Sequence, residues 1–247
     1  MCGIASTVTR FVFDLMGTNA YVVPAGDEVI VVDPHRNPRM IDCLRARRPS
    51  RVVILLTHEH PDHTFGVPDI AREFECRLIC QRRCAEAIAD MRNNRPLLMS
   101  LVLAERKDLG ESGGLQDFLL SFPRYALHAD EVFDDGLSCV VGGRRLEFIS
   151  APGHSPGGCL IKMDDECVFT GDNLIPGVPT ILRFPGGSRK DFEEVTQRFL
   201  DAIPDGMLVL PGHGEPMQFG IIRSTRTDAL SENGRLGGQK TIVEPNA

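Results

Sequence analysis

Positive charge is in short supply in this chain. Lys and Arg total 27 against 34 Asp and Glu, a net charge of −7. Gripping a phosphate backbone needs the opposite excess, so no nucleic-acid partner is expected. The one dense cluster, RARRPSR at Arg45–Arg51, reads as the exposed end of a helix. Long apolar runs are missing too. No stretch reaches the length of a membrane span, so no membrane partner is expected. The opening, MCGIASTVTRFVFDL, lacks a basic start followed by an apolar run, so no signal peptide is expected and a cytoplasmic location is. Tyrosine is nearly absent: Tyr21 and Tyr125 are the only sources of a phenol. Zinc-finger spacing is absent among the eight cysteines. Cys76, Cys80 and Cys84 lie four apart and fit no C-x2-C pattern. They read as buried small hydrophobes, and all eight as reduced thiols.

What is present supports a substantial core, since 42% of the 247 residues are hydrophobic. Short β-rich runs open the chain: STVTRFVF, NAYVV and EVIVVD. PRMIDCLRARR follows as a helix, then RVVILLT as a strand covered on both faces, VPDIAREF as a helix and CRLIC as a strand. From about residue 81 to 125 the pattern turns helical, with RRCAEAIADMR and PLLMSLVLAERKDL. Four strands come next, LSCVVGG, RRLEFIS, GCLIKMDD and ECVFTGD. RKDFEEVTQRFLDAI is an amphipathic helix whose buried face is expected at Phe192, Val195, Phe199 and Ala202 or Ile203. GMLVLPGHG is the last strand. We expect one α/β domain over 1–222 with a helical insert at about 81–125, and a poorly ordered tail over 223–247.

The chemistry concentrates in ILLTHEHPDHTFG, where three histidines and two acids follow a buried strand. His58, His60, Asp62 and His63 lie at the end of that strand, a good place for a ligand site. Their spacing differs from a helical H-E-x-x-H, because a turn must splay them toward two points. Three further strand ends repeat the arrangement. His154 lies in APGHSPG, Asp172 in FTGDNL and His213 in LPGHGEP. Imidazoles and carboxylates gathered this way point to metal. They suit Zn²⁺, and they suit Fe and Mn as well. His35 and His128 are assigned to no metal, although His35 also follows a strand.

Taken together, H-x-H-x-D-H, PGHSPG, TGD and PGHG resemble the metallo-β-lactamase superfamily over roughly Thr18 to Glu215. The resemblance implies an αββα sandwich with a dinuclear metal site along one edge. It implies that His58, His60 and His154 hold one metal, that Asp62, His63 and His213 hold the second, and that Asp172 bridges them. Two divalent ions, zinc first, would share a hydroxide that attacks an ester or thioester carbonyl. Asp62 and Asp172 are then the catalytic carboxylates.

Within that superfamily THEHPDH, TGD and PGHG look most like the glyoxalase II (hydroxyacylglutathione hydrolase) group. That group carries a helical C-terminal region, for which only 33 residues after Gly214 leave little room here. A small-molecule thioester or ester is therefore the expected substrate, with Arg124 and Arg183 as candidate contacts. Exposed arginines without that role are the competing reading. Lactone hydrolysis uses the same metals, often with a pocket phenol. A persulfide dioxygenase would keep one iron on His58, His154 and Asp172. A non-catalytic binding protein on this fold is the reading from another class. A β-lactamase and nucleic-acid processing are disfavoured by the start and the charge. MCGIA looks like the opening of amidotransferases with an N-terminal Cys2 nucleophile, but nothing downstream supports it. Oligomeric state is left open.

Overall fold

A computed structural model describes residues 7–94 and 124–225. Side chains alternate across a strand, and this sorts the apolar residues into separate layers. Along β2 (Thr18–Ala25), Tyr21, Val23 and Ala25 face one cluster while Ala20 and Val22 face another. β3 (Glu28–Val32) and β4 (Val52–Leu55) divide the same way, with Ile30, Val32, Val53 and Leu55 inward and Val29, Val31, Val52 and Ile54 outward. A strand covered on both faces has no polar side, which is why RVVILLT is almost unbroken.

These strands belong to a six-stranded sheet in the order β1 (Thr9–Phe13), β2, β3, β4, β5 (Cys76–Gln81), β6 (Glu131–Phe133). It is antiparallel from β1 to β3 and parallel from β3 to β6. A second six-stranded sheet runs β12 (Met217–Gln218), β11 (Leu208–Pro211), β10 (Cys167–Gly171), β9 (Cys159–Met163), β8 (Arg144–Ser150), β7 (Gly136–Val141). Between the sheets, Tyr21, Leu55 and Ile79 pack against Phe148, Ile161 and Phe169.

Helices cover the two outer faces. On the first sheet Met40 and Leu44 of α1 (Pro38–Arg47), Ile70 of α3 (Val67–Ala71) and Ile88 of α4 (Arg82–Ile88) cover the outward residues. Asn37 starts α1 by accepting the amides of Arg39 and Met40, with Pro38 at the first helical position. Its last turn is the exposed arginine cluster, where Arg45 binds Glu73 at 2.7 and 2.8 Å. On the second sheet Phe192, Leu200 and Ile203 cover Leu160, Val168 and Val209. The αββα expectation holds.

Several details differ from the sequence reading. The 189–203 helix is broken into α5 (Arg189–Asp191), a π turn (Phe192–Thr196) and α6 (Gln197–Asp201). The amide of Gln197 donates to the carbonyl of Phe192, five residues back. That wide turn moves the buried face one residue on. Phe192, Thr196, Leu200 and Ile203 are buried, whereas Ala202 is exposed and Val195 and Phe199 are half-buried. β6 and β12 carry too few residues for a pattern to register. Cys80, Cys84, Cys159 and Cys167 are buried free thiols, while Cys76 is only half-buried. Of the expected helical insert, α4 ends at Ile88. PLLMSLVLAERKDL lies outside the described residues, as do Cys2 and the tail beyond 225. Among the described residues no helix is long and apolar enough to cross a membrane.

The sheets are stitched together along one edge. There the amide of Asn19, in β2, donates to the carbonyl of Gly212 at 2.7 Å, and that of Cys159 to Thr57 at 2.8 Å. Thr18 and His213 form a bridge across the same seam. β4, β8, β10 and β11 all end at this edge, so their loops converge.

Candidate metal centre

Each polar residue of the converging loops is held by a specific partner. Thr57 ends the β4 run. Its hydroxyl donates to Asp33 Oδ2 at 2.6 Å, so it can only accept from His58 Nδ1 at 3.0 Å. His58 therefore carries its proton on Nδ1 and presents a bare Nε2. The same logic fixes His154, whose Nδ1 donates to the carbonyl of Ile181 at 2.8 Å. Both Nε2 atoms converge on His60 Nδ1, at 3.1 Å from His58 and 3.0 Å from His154. Three imidazole nitrogens thus meet at one point, and those of His58 and His154 present lone pairs to it. Burial drives all three pKa values down, with cationic neighbours adding to it for His58 and His60, and His60 falls to about 3. Neutral, convergent imidazoles repel a proton and suit a metal cation.

The second half is built on α2 (Pro61–Thr64), a single helical turn where the sequence reading expected only a turn. His63 Nδ1 donates to Asp33 Oδ2 at 3.1 Å, and its Nε2 faces Asp62 Oδ2 at 3.4 Å and Asp172 Oδ1 at 3.5 Å. His213 Nδ1 donates to the carbonyl of Met16 at 3.2 Å. Its Nε2 lies 3.4 Å from both Asp62 Oδ2 and Asp172 Oδ2. Asp62 is held in turn by the hydroxyl of Thr18 at 2.9 Å. Burial opposes charge on His63, but Asp62, Asp172 and Asp33 together outweigh it and push its pKa up to about 9. His213 is raised for the same reason, and Asp62 and Asp172 are held below the usual carboxylate range by these two histidines, against their burial.

Asp172 joins the halves. Its Oδ1 faces His63, and its Oδ2 faces both His213 and, at 3.6 Å, His154. Gly212 makes room for it, because a Cβ there would lie 2.2 Å from Asp172 Oδ1 and 2.8 Å from the His63 ring. A direct test of fit comes from two orphaned atoms. His63 Nε2 and Asp172 Oδ1 are buried without a hydrogen-bond partner, and they face each other across the junction of the halves. Buried polar atoms left unpaired are costly, and a cation shared between them removes the cost. The donor set fits metal.

The structure thus brings together all seven residues singled out in the motifs: His58, His60, Asp62, His63, His154, Asp172 and His213. It separates the rest. His35 is buried against Phe13 and Phe65, with Nε2 on the carbonyl of Phe11 at 3.0 Å, and His128 is exposed. Arg124 is exposed, and among the described residues no hydrogen bond or ion pair joins it to the cluster. Arg183 is exposed beside Phe184, its guanidinium 5.9 Å from that ring.

Two residues escaped the sequence reading. Asp33 follows β3 with φ of 50°, a left-handed conformation that Asp tolerates better than most residues. There its carboxylate takes the Thr57 amide at 2.8 Å and orients His63. The VVDP run was the available signal. Phe184 stands edge-on to His60 and His154, with centroids at 5.8 and 5.9 Å, and no spacing in the sequence announces it.

The family description "Metallo-beta-lactamase superfamily" matches residues 13–213. The chain belongs to the metallo-β-lactamase superfamily. An uncharacterized Mycobacterium tuberculosis protein is 25% identical over 87% of this chain and 94% of its own. An atrochrysone carboxyl ACP thioesterase of Aspergillus chevalieri is 29% identical over 66% of this chain and 42% of its own. A hydroxyacylglutathione hydrolase of Chromohalobacter salexigens is 26% identical over 76% of this chain and 58% of its own. Among solved structures, BLEG-1 B3 metallo-β-lactamase superposes with a TM-score of 0.67 at 22% identity, covering 86% of this chain and 94% of that one. TTHA1623 in a di-iron-bound form gives 0.63 at 24%, covering 88% and 98%. These two likenesses show the fold.

Proposed function

We propose that this superfamily member is a dinuclear metal-dependent hydrolase acting on a small-molecule thioester or related ester, in the manner of the glyoxalase II group. The observation that carries the reading is Asp172, whose two oxygens face ligand atoms of both halves. A pair of divalent cations, once bound, supplies water acidified towards neutral pH and Lewis acidity for a carbonyl oxygen. His58, His60 and His154 would hold one cation, and Asp62, His63 and His213 would hold the other. Zinc is the first expectation, and a di-iron form of TTHA1623 keeps iron beside it.

The chain's own residues then set geometry and protons. Asp62, held by the Thr18 hydroxyl, would accept a hydrogen bond from the attacking water and orient it. Phe184 walls the His60 and His154 side with an apolar ring, which suits the acyl group. Arg183, outside the cluster but beside the Phe184 ring, remains the candidate for an anionic group on the leaving thiol. A thioesterase and a hydroxyacylglutathione hydrolase among the relatives support the thioester. The lactone reading gains nothing from the phenols. Tyr21 OH donates to the carbonyl of Pro211 at 2.7 Å, and Tyr125 OH is engaged with Thr64 Oγ1 at 2.7 Å and the Pro61 carbonyl at 3.3 Å.

The test is a panel of acyl thioesters, aryl esters, lactones and a persulfide, run on metal-loaded protein with oxygen uptake recorded. Fastest turnover of a thioester or ester is expected. Oxygen consumption with the persulfide, without hydrolysis, would overturn the reading.

A further inference from the structure

Glu59 sits between two of the converging histidines in sequence but does not share their direction. The backbone is extended at His60, with φ of −64° and ψ of 142°. In extended chain, neighbouring side chains point to opposite sides. His58 and His60 meet on one side. Glu59 is sent to the other, and among the described residues no converging ligand set includes it.

What it meets there is the loop that carries the third histidine. Ser155 Oγ donates to Glu59 Oε2 at 3.1 Å, and the amide of Gly157 donates to Oε1 at 3.3 Å. These residues flank His154 on its C-terminal side. The contact is built closely. A Cβ on residue 157 would lie 2.5 Å from Glu59 Oε2 and 2.3 Å from the backbone nitrogen of Cys84 in α4, so only glycine admits the carboxylate. The other side of the loop is held by Asn173, whose Nδ2 donates to the carbonyl of Ala151 at 2.7 Å and whose Oδ1 accepts from the amide of His154 at 3.4 Å. His154 is therefore gripped from both flanks, once by the neighbour of Asp172 and once by the residue between His58 and His60.

We infer that Glu59 is a positioning residue for the first metal: its carboxylate locks the His154 loop to the strand end that carries His58 and His60. Two donors on one carboxylate make charge-assisted hydrogen bonds, stronger than neutral ones. They fix the distance between ligands that come from different sheets. The inference rests on the proposed metal role of the three histidines. It extends that role to a side chain that binds no metal.

The test is a Zn²⁺ titration of the metal-free full chain against a chromophoric competing chelator, with thermal unfolding in parallel. Outer partners of ligand histidines typically govern metal affinity by about 10–100-fold. Wild type should bind two equivalents. In Glu59→Ala one equivalent should weaken by about 10–100-fold while the other keeps its affinity. Glu59→Gln, which retains one acceptor oxygen, should recover part of the loss, and Ser155→Ala should weaken the same equivalent by a smaller factor. Unchanged binding in Glu59→Ala, or equal weakening of both equivalents, overturns the inference. If Glu59→Ala does not fold, Glu59→Gln and Ser155→Ala decide, and wild-type affinities in both overturn it. A wild-type chain that binds neither zinc nor iron would sink the hydrolase proposal and this one together. Normal wild-type binding with unaltered variants sinks this one alone.

Discussion

The contact between Asp33 Oδ2 and His63 Nδ1 at 3.1 Å shows how single residues divide the work. Asp33 belongs to neither half, yet it fixes which nitrogen of His63 faces inward. Asp33→Ala should weaken metal binding in the Asp62, His63 and His213 half by about 10–100-fold, read by competitive titration. The histidines also respond differently to pH. His63 is raised to about 9 in the metal-free chain, so a cation entering its half must displace a proton below that pH. Affinity there should climb as pH rises towards 9. The His58, His60 and His154 half is already neutral at pH 7 and should change little. Titrations at pH 6, 7, 8 and 9 with one shared slope for both sites would contradict this. A raised folded-state pKa also stabilises the metal-free fold, fully below the ordinary value of 6.5 and with loss as pH passes about 9. The motif histidines were legible because four of the seven ligands fall within six residues, from His58 to His63. Asp33 and Phe184 were not, because each acts through neighbours supplied by another strand or loop.

At the scale of elements, the strands read well, and the helical face over 189–203 was right at Phe192 and Ile203 but not between them. Alternating or unbroken apolar runs announce a strand whatever packs on it. A π turn leaves no mark in composition, and it shifted the face by one position. The two faces predict opposite sensitivities. Leu200→Ala, at a fully buried site, should cost about 2–5 kcal/mol by denaturant unfolding. Phe199→Ala should cost less, since Phe199 is half-buried, with the Arg198 guanidinium 4.7 Å from its ring. The reverse order would restore the regular helix expected from sequence. The one-turn α2 depends on distant support as well. Tyr125 packs with Met16 and Phe65 and bonds Thr64 and Pro61. Tyr125→Phe should cost about 1–3 kcal/mol, read as a shift in unfolding midpoint.

Over the whole molecule, two sheets meet along one edge, and ligands from both face the same small volume. His58, His60, Asp62 and His63 come from the first sheet, and His154, Asp172 and His213 from the second. A metal bound there would link the sheets. Removal by chelation should lower the unfolding temperature, and restored metal should raise it with concentration. The acidic balance of −7 fits a small-molecule substrate better than a polyanion. The αββα layering was legible because two β-rich halves are each followed by helices. Substrate choice was not, since it depends on where loops such as the one carrying Phe184 come to rest.

The most direct measurement is the metal content of natively purified protein, taken for wild type and for Asp172→Ala. About two metal ions per wild-type chain are expected, with hydrolysis that disappears on chelation and returns with metal, and loss of at least one ion in the variant. One iron per wild-type chain with oxygen uptake, or full metal content and full hydrolysis in Asp172→Ala, would contradict that expectation.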